Sequence, residues 1–143
     1  MQARHLGVDI SLDPWLSAPV KTPCGPVIAR SSRYHNPTFP WRRIRQKHPK
    51  AVFVGLENEH KEFEERYGPI RHVPTPDLLV LAQMIAGTEL LITNQTAAFW
   101  IGAGLGVPMI QESYIHDLNS VVERDNIRYT RSVSEVNALL ESL

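Results

Sequence analysis

The stretch ELLITNQTAAFWIGAGLGVPMIQE, residues 89–112, decides the predicted fold of this chain. Within it, Leu90–Thr93 is a short apolar run that is typical of a strand buried on both faces. Ala97–Leu105 is apolar on nearly every side, which predicts a buried helix that Gly106 would end. Met109–Ile110 then begins another buried strand. A strand, a turn, a helix and a second strand in this order indicate a parallel α/β sheet.

The polar turn between that strand and that helix is the predicted ligand site. Asn94, Gln95 and Thr96 carry side chains that bond to backbone amides and favour helix starts. In parallel α/β sheets, ligands bind where strands end and helices begin. A helix N-terminus also offers N–H groups and a partial positive charge, which suit a phosphate. We therefore predict phosphate contacts from Asn94, Gln95, Thr96 and the amide of Ala97.

The same alternation of strand and helix signals extends over residues 25–143. It predicts one three-layer, Rossmann-like α/β domain with a parallel sheet of five or six strands. Residues 1–24 are predicted to be an extended, connector-like segment, because prolines interrupt them repeatedly. The predicted strands are 26–29, 51–54, 70–73, 90–93, 109–110 and 127–129. The predicted helices are 41–48, 57–67, 78–86, 97–105 and 132–140, the third with Thr75 as its N-cap and the last opened by a capping box from Ser132 to Glu135.

Composition and charge exclude several classes of protein. Lys and Arg together number 15, as do Asp and Glu, so no net field favours nucleic acid or a membrane surface. Cys24 is the single cysteine, which excludes an internal disulfide and a cysteine-cluster metal site, and the histidines lack metal-ligand spacing. We therefore expect no cofactor and no metal. Because no apolar run approaches about 20 residues and no signal-peptide pattern opens the chain, we expect a cytoplasmic protein without a membrane span.

Five loops follow predicted strands and should lie along one edge of the sheet, which we call the open edge. They are residues 31–36, 55–58, 74–77, 94–96 and 112–116. Arginine here would pair with a diphosphate, and acidic side chains would accept hydrogen bonds from ribose or sugar hydroxyls. The alternatives are a solvated loop, a charge that stabilises a helix start, and a turn cap. Candidate contacts outside the 94–97 turn are Ser31, Ser32, Arg33, Tyr34, Gly55, Glu57 and Glu112.

Two further motifs suggest other functions, but structural roles account for them better. Gly102-x-Gly104-x-Gly106 superficially matches a dinucleotide fingerprint, yet that fingerprint needs its glycines at the strand-to-helix turn. Here they fall late in the helix, so we predict close packing at Gly102 and Gly104 and a C-cap at Gly106. Trp41 and three nearby arginines would suit nucleic acid, but one short cluster in a neutral chain indicates an amphipathic helix with Trp41 and Ile44 inward.

Residues 25–131 resemble the C-terminal, nucleotide-sugar-binding half of GT-B glycosyltransferases, especially the heptosyltransferase-like family, glycosyltransferase family nine. The matching family motif has an apolar strand, Asn/Thr-Asp-Ser/Thr-Gly, two residues, His, an Ala-rich helix and Gly-x-Pro. Thr96 matches its hydroxyl position, whereas Gln95, Ala97 and Trp100 stand where the family has Asp, Gly and His. Supporting stretches are 29–34, 52–55 and 75–87, and together they look like a variant subgroup that includes phage-type members.

The resemblance implies the donor half of a metal-independent glycosyltransferase that binds a nucleotide-diphosphate sugar. The half that usually carries the acceptor site and the catalytic base is expected to be absent, so no catalytic residue is predicted. One half lacks the opposing wall that excludes water, so we expect a complementary N-terminal domain or self-association through the cleft face. Two alternatives stay open. One is a non-catalytic interaction module with Trp15, Trp41 and Tyr34 as exposed anchors, and the other is a stand-alone α/β enzyme acting on a small phosphorylated substrate.

Overall fold

The computed structural model describes residues 13–21, 25–116 and 120–143. In chain order its elements are β1 (Val27–Ala29), α1 (Trp41–Lys47), β2 (Val52–Gly55), α2 (Glu57–Tyr67), β3 (Arg71–Pro74), α3 (Leu78–Ala86), β4 (Leu91–Asn94), α4 (Ala97–Leu105), β5 (Met109–Glu112), β6 (Ile127–Tyr129) and α5 (Val133–Ser142). The strands form one parallel sheet in the order β3-β2-β1-β4-β5-β6. The predicted Rossmann-like domain is thus confirmed, with six strands. Cys24 and the predicted segment's residues 1–12 and 22–24 lie outside the described residues.

Helices cover both faces of the sheet, which gives three layers. Val27 and Ala29 of β1 point into a core that includes residues of α3 and α4. Ile28, between them, points into the opposite core, which Ile44, Phe63 and Leu139 close from α1, α2 and α5. This division follows from the two-residue period of a strand and explains why the strands are apolar runs rather than alternating ones. None of the helices within the described ranges has both the length and the apolar character that crossing a bilayer requires.

The glycines of α4 serve packing, as predicted. At Gly102 an added Cβ atom would lie 2.6 Å from side-chain atoms of Leu91 and of Met109, so glycine allows the helix to approach the sheet. Gly104 does the same for segment 13–21, because an added Cβ atom there would lie 2.5 Å from Leu16 Cδ1. Its carbonyl accepts hydrogen bonds from the amides of Trp15 and Leu16. Gly106 has φ +72° and caps the helix in the left-handed region that favours glycine.

Of the two predicted helix caps, the one at α3 is wrong and the one at α5 is confirmed. Asp77, not Thr75, is the N-cap of α3, and its Oδ1 accepts a hydrogen bond from the amide of Val80 at 2.8 Å. The Thr75 prediction is wrong because an aspartate three residues before an available amide caps that helix directly. The predicted capping box of α5 is confirmed, since Ser132 and Glu135 each accept a hydrogen bond from the other's backbone amide at 3.2 Å.

Trp41 lies inside the protein. It is 1% exposed and packs against Phe39, Phe63 and Tyr67 at ring-centroid distances of 4.7, 5.0 and 6.0 Å. The inward orientation predicted from the amphipathic pattern is therefore confirmed, and the suggestion that Trp41 is an exposed anchor is wrong. Burial of this large aromatic ring stabilises the core, and a buried ring is not accessible to a partner.

Candidate functional site

A cleft of about 440 Å³ opens at the carboxyl ends of β1, β2 and β4. The strands β1 and β4 are neighbours in the sheet, but α1 packs on one face and α4 on the other. The loops that leave these two strands therefore diverge, and the cleft lies at this topological switch point. Open α/β sheets bind their ligands at such points.

The walls of this cleft have two characters. The side formed by the loops after β1 and β4 is polar and presents Ser31, Arg33, Gln95 and Thr96. The side formed by the loops after β2 and β3 and by the first turns of α2 and α3 is largely apolar. It presents Leu56, Pro76, Leu78 and Leu81, with the acids Glu59 and Asp77. Leu56 and Leu78 are 62% and 64% exposed, so this apolar wall faces solvent.

The structure brings together part of the predicted set of contacts. The predicted residues that line the cleft are Ser31, Arg33, Gly55, Gln95, Thr96 and Ala97. The predicted residues that do not line it are Ser32, Tyr34, Glu57, Asn94 and Glu112. The first group comes from the loops after β1, β2 and β4, which the sheet order makes adjacent.

Thr96 shapes the N-terminus of α4. It is the N-cap residue, and its Oγ1 accepts a hydrogen bond from the amide of Ala98 at 3.2 Å, while its carbonyl accepts one from Phe99 at 3.1 Å. These bonds satisfy two of the helix's first amides and leave the amide of Ala97, which lines the cleft, for other use. The positive end of the α4 dipole therefore lies at the cleft wall.

Asn94 is fully buried and organises the loop after β1. Its Oδ1 accepts a hydrogen bond from the amide of Ser31 at 3.1 Å. Its Nδ2 donates to the carbonyls of Ser31 and Arg33. One amide side chain at the end of β4 thus holds both ends of a turn that follows β1. The predicted direct contact of Asn94 with phosphate would require this arrangement to open, whereas its support of Arg33 requires no change.

Glu112 is also fully buried, at the end of β5 beside Asn94. Its carboxylate accepts hydrogen bonds from Arg30 Nε at 2.6 Å and Nη2 at 3.0 Å, and from the amide of Asn36 at 3.0 Å. The Arg30 guanidinium further lies 5.7 Å from the Trp41 ring centre. Glu112 was predicted to face a sugar hydroxyl, but in this structure its oxygens are shielded and engaged within the protein.

Gln95 holds the loop after β5 in the same way. Its Oε1 accepts a hydrogen bond from the amide of Tyr114 at 2.8 Å. Tyr114 packs against Tyr34, with ring centroids 5.8 Å apart. Tyr34, 37% exposed, has φ +60°, and the guanidinium of Arg33 lies 5.6 Å from its ring centre. Asn94 and Gln95, adjacent in β4 and its turn, therefore position the two loops on either side of them.

Two acids at the start of α2 have different surroundings. Glu57 does not line the cleft and forms an exposed ion pair with Lys61 at 2.7 Å. The hydrogen bond from Lys61 and its positive charge lower the pKa of the Glu57 carboxyl below its ordinary value. Glu59 lines the cleft, and its Oε2 accepts a hydrogen bond from the amide of Leu56 at 3.1 Å. Of these two acids, the one that lines the cleft is therefore Glu59 rather than the predicted Glu57.

Sequence reasoning missed Glu59 and the apolar wall for identifiable reasons. Glu59 is the third residue of α2, and the pattern of an acid at that position signals a cap of the preceding residue, which it provides. Leu56 and Leu78 each flank a helix start and look like ordinary apolar residues in sequence. Their shared signal is that both follow predicted strands on the open edge.

Among the described residues, no group of three or more His, Cys, Asp and Glu side chains is arranged to hold a metal ion. Comparison of the chain with models of protein families, with curated protein sequences and with solved structures found no match in any of the three.

Proposed function

We propose that this domain binds a nucleotide-diphosphate sugar in the open-edge cleft, as the donor half of a glycosyltransferase. The observation that carries the proposal is the convergence of the α4 N-terminus and Arg33 on one cleft at the switch point of the sheet. The resemblance of residues 25–131 to the donor half of GT-B enzymes motivates the choice of ligand. The cleft's two unlike walls support it, because such a ligand joins a charged diphosphate to a base whose flat faces are apolar.

The polar wall suits the diphosphate. The Ala97 amide and the α4 dipole offer a site for one phosphate oxygen, as helix N-termini commonly do. Arg33 adds a positive charge, and its planar guanidinium can donate two parallel hydrogen bonds to a phosphate. The Asn94 side chain donates a hydrogen bond to the Arg33 carbonyl and so fixes the Arg33 backbone. The Arg33 side chain therefore extends from a defined position. Ser31 supplies a nearby hydroxyl.

The apolar wall suits the nucleoside. Leu56 and Leu78 present exposed apolar surface against which a base can pack. Glu59, close to Leu56 and to the end of β2, offers a carboxylate that can accept hydrogen bonds from ribose hydroxyls. Gly55 adopts φ +132°, and a Cβ atom there would lie 3.0 Å from the Glu59 carboxylate, so glycine keeps this corner open.

In the transfer that the resemblance implies, the nucleoside diphosphate is the leaving group. Negative charge then develops on its distal phosphate as the bond to the sugar breaks. Preorganised donors aimed at such a charge contribute most to catalysis of this kind. In the proposed complex these donors are the Ala97 amide and the Arg33 guanidinium. The site for the acceptor and the base that activates the acceptor would belong to a complementary N-terminal domain.

The experiment is a titration of the isotope-labelled protein with ADP, GDP and UDP, followed by amide NMR. We expect shifts concentrated at residues 31–34, 55–59 and 95–98 for at least one nucleotide. The corresponding nucleosides and inorganic phosphate serve as controls, and each should bind more weakly than the diphosphate because it reaches only one wall. Absence of shifts in these loops at millimolar nucleotide would overturn the proposal.

A second function, an interaction surface, is favoured by the exposure of Leu56, Leu78 and Leu79 at one side of the open edge. Contiguous exposed apolar side chains mark binding surfaces in many proteins. The partner would be a complementary domain or a second copy of this chain. Mass in solution over a range of concentrations tests the second copy, and Leu79→Glu should reduce any dimer. A monomer at all concentrations would exclude self-association.

A further inference from the structure

We propose that Tyr34 and Tyr114 form a stacking subsite for a pyranose ring beside the cleft. This inference deepens the proposed function and rests on it, because it assigns a place to the sugar of the nucleotide-diphosphate sugar. Neither ring lines the cleft itself. The subsite lies on the β5 side of Arg33, opposite the apolar wall.

The order of the strands sets this direction. Tyr34 follows β1 and Tyr114 follows β5, and the two strands flank β4 on either side. Their rings, 5.8 Å apart, therefore meet near the carboxyl end of β4. Arg33 lines the cleft and also lies 5.6 Å from the Tyr34 ring centre, so it joins the two places. A diphosphate held at Arg33 with its nucleoside on the Leu56 side has its other end directed toward the tyrosines.

The pair is held from below by two buried side chains. Asn94 donates to the carbonyl of Arg33, the residue before Tyr34, and Gln95 accepts from the amide of Tyr114. Among the described residues, Tyr34 is the one non-glycine residue with positive φ. A non-glycine residue keeps that conformation only where its surroundings fix it, and such residues cluster at functional sites. Full burial of the Tyr34 ring does not explain this positive φ, since Tyr34 is 37% exposed.

The chemistry of the two rings fits a sugar. The face of an aromatic ring is apolar and carries partial negative charge, which attracts the weakly positive C–H groups on one face of a pyranose. The planes of Tyr34 and Tyr114 meet at 59°, so a sugar that stacks on one ring can meet the edge of the other. Their phenol groups can bond to sugar hydroxyls. His116, 5.2 Å from the Tyr114 ring, adds an exposed imidazole. The buried Glu112 carboxylate is not available for these contacts.

The test compares each nucleoside diphosphate with its sugar ester by calorimetric titration. The probes are UDP with UDP-glucose, ADP with ADP-glucose, and GDP with GDP-mannose. The variants are Tyr34→Asn, which removes the ring with a residue that tolerates positive φ, and Tyr114→Leu. The controls are Tyr34→Phe, which keeps the ring, and Val133→Ala, which trims an exposed apolar side chain at the start of α5. Circular dichroism confirms that each variant is folded.

We expect Tyr34→Asn and Tyr114→Leu to lower the affinity for the sugar nucleotide by about 3- to 10-fold. The affinity for the free nucleoside diphosphate should change by less than about 2-fold. Val133→Ala should bind both probes like the original chain. Tyr34→Phe should lose less affinity for the sugar nucleotide than Tyr34→Asn, because it keeps the stacking ring and removes only the phenol hydroxyl. Equal losses for the two probes, or no loss for either, would overturn the stacking subsite and leave the proposed function standing.

A second arm separates the two proposals when no nucleotide binds. The tyrosine ring signals are followed by NMR during addition of methyl β-D-glucopyranoside and methyl α-D-mannopyranoside. Perturbation of both rings in the original chain, with a Tyr114 ring that no longer responds to the glycoside in Tyr34→Asn, supports the stacking subsite although the proposed function has failed. Unchanged rings would overturn both. Perturbation of the same rings by uridine or adenosine alone would identify a base subsite and overturn the assignment to sugar.

Discussion

The open edge and the layer just beneath it use the same types of side chain in opposite ways. Arg30 and Glu112 lie beneath the edge, where both are buried and pair with each other. Arg33, which is exposed, and Glu59, which is half-buried, lie on the edge and line the cleft, whose wall Arg30 also reaches in part. A buried charge requires a partner and is therefore committed to the fold, whereas a less buried charge keeps some of its donors or acceptors for a ligand. The comparison teaches that burial, rather than residue type, separates the support of this site from its contacts.

The largest effect is expected beneath the edge, from Glu112→Ala. Removal of the carboxylate leaves Arg30 buried without its ion-pair partner, which should lower the free energy of unfolding by about 3–5 kcal/mol. Urea unfolding followed by circular dichroism measures this loss. The control is the double variant Arg30→Met/Glu112→Leu, which removes both charges and should recover most of the stability. An equal loss in the double variant would contradict the explanation by an unpaired charge.

Asn94→Ala should have the next largest effect and should act on both regions. The amide of Ser31 loses its acceptor and the carbonyls of Ser31 and Arg33 lose the Asn94 donor, which should lower the free energy of unfolding by about 1–3 kcal/mol. Nucleotide binding should weaken as well, because the Arg33 backbone is no longer held. Asn94→Asp keeps the shape but places an anion against these carbonyls, so it should be no better. An unchanged free energy of unfolding in both variants would show that Asn94 does not stabilise the loop after β1.

Arg33→Ala should spare stability and reduce binding. Its guanidinium is exposed, so the free energy of unfolding should change by no more than about 0.5 kcal/mol. Loss of a charge-assisted hydrogen bond to phosphate should lower the affinity for nucleoside diphosphates by about 10-fold or more. Arg42→Ala, an exposed arginine of α1 away from this cleft, is the matched control and should bind normally. Equal weakening in the two variants would indicate general electrostatic attraction rather than a site.

The smallest effect separates the two acids of α2. Glu59→Gln keeps the cap oxygen but weakens acceptance from ribose, so we expect about a 2- to 5-fold loss for nucleoside diphosphates. Glu57→Gln removes an exposed pair with Lys61 and should leave binding unchanged. Titration calorimetry on both variants decides between them. A loss of affinity in Glu57→Gln alone would support Glu57, the residue predicted from the sequence, as the ribose contact.

The elements of this fold were predictable because their signals are local. The apolar runs at β2 and β4, the charged helix α2 and the capping box of α5 each depend on residues within one element. The N-cap of α3 was misplaced because Thr75 and Asp77 are both good caps, and the competition is settled by which one lies beside an open amide. Sequence alone gives both candidates but not that geometry.

The candidate site was predictable only in part. Its location at the strand-to-helix turns followed from the order of strands and helices, and Thr96 at the start of α4 followed from the type of residue. The direction of each side chain did not follow. Asn94 and Glu112 are polar residues at strand ends, which is also the pattern of ligand contacts, yet their partners come from the loop after β1. Glu112 and Arg30 are 82 residues apart in sequence.

The sequence by itself determined the class of the fold, the parallel sheet and the edge at which the candidate cleft lies. These depend on the periodicity of apolar residues and on turn signals, and both act over a few neighbouring residues. Tertiary structure decided which polar side chains at that edge are buried and which face the cleft. That choice depends on pairings between distant loops, because a charged or amide group is buried only where another part of the chain satisfies its hydrogen bonds.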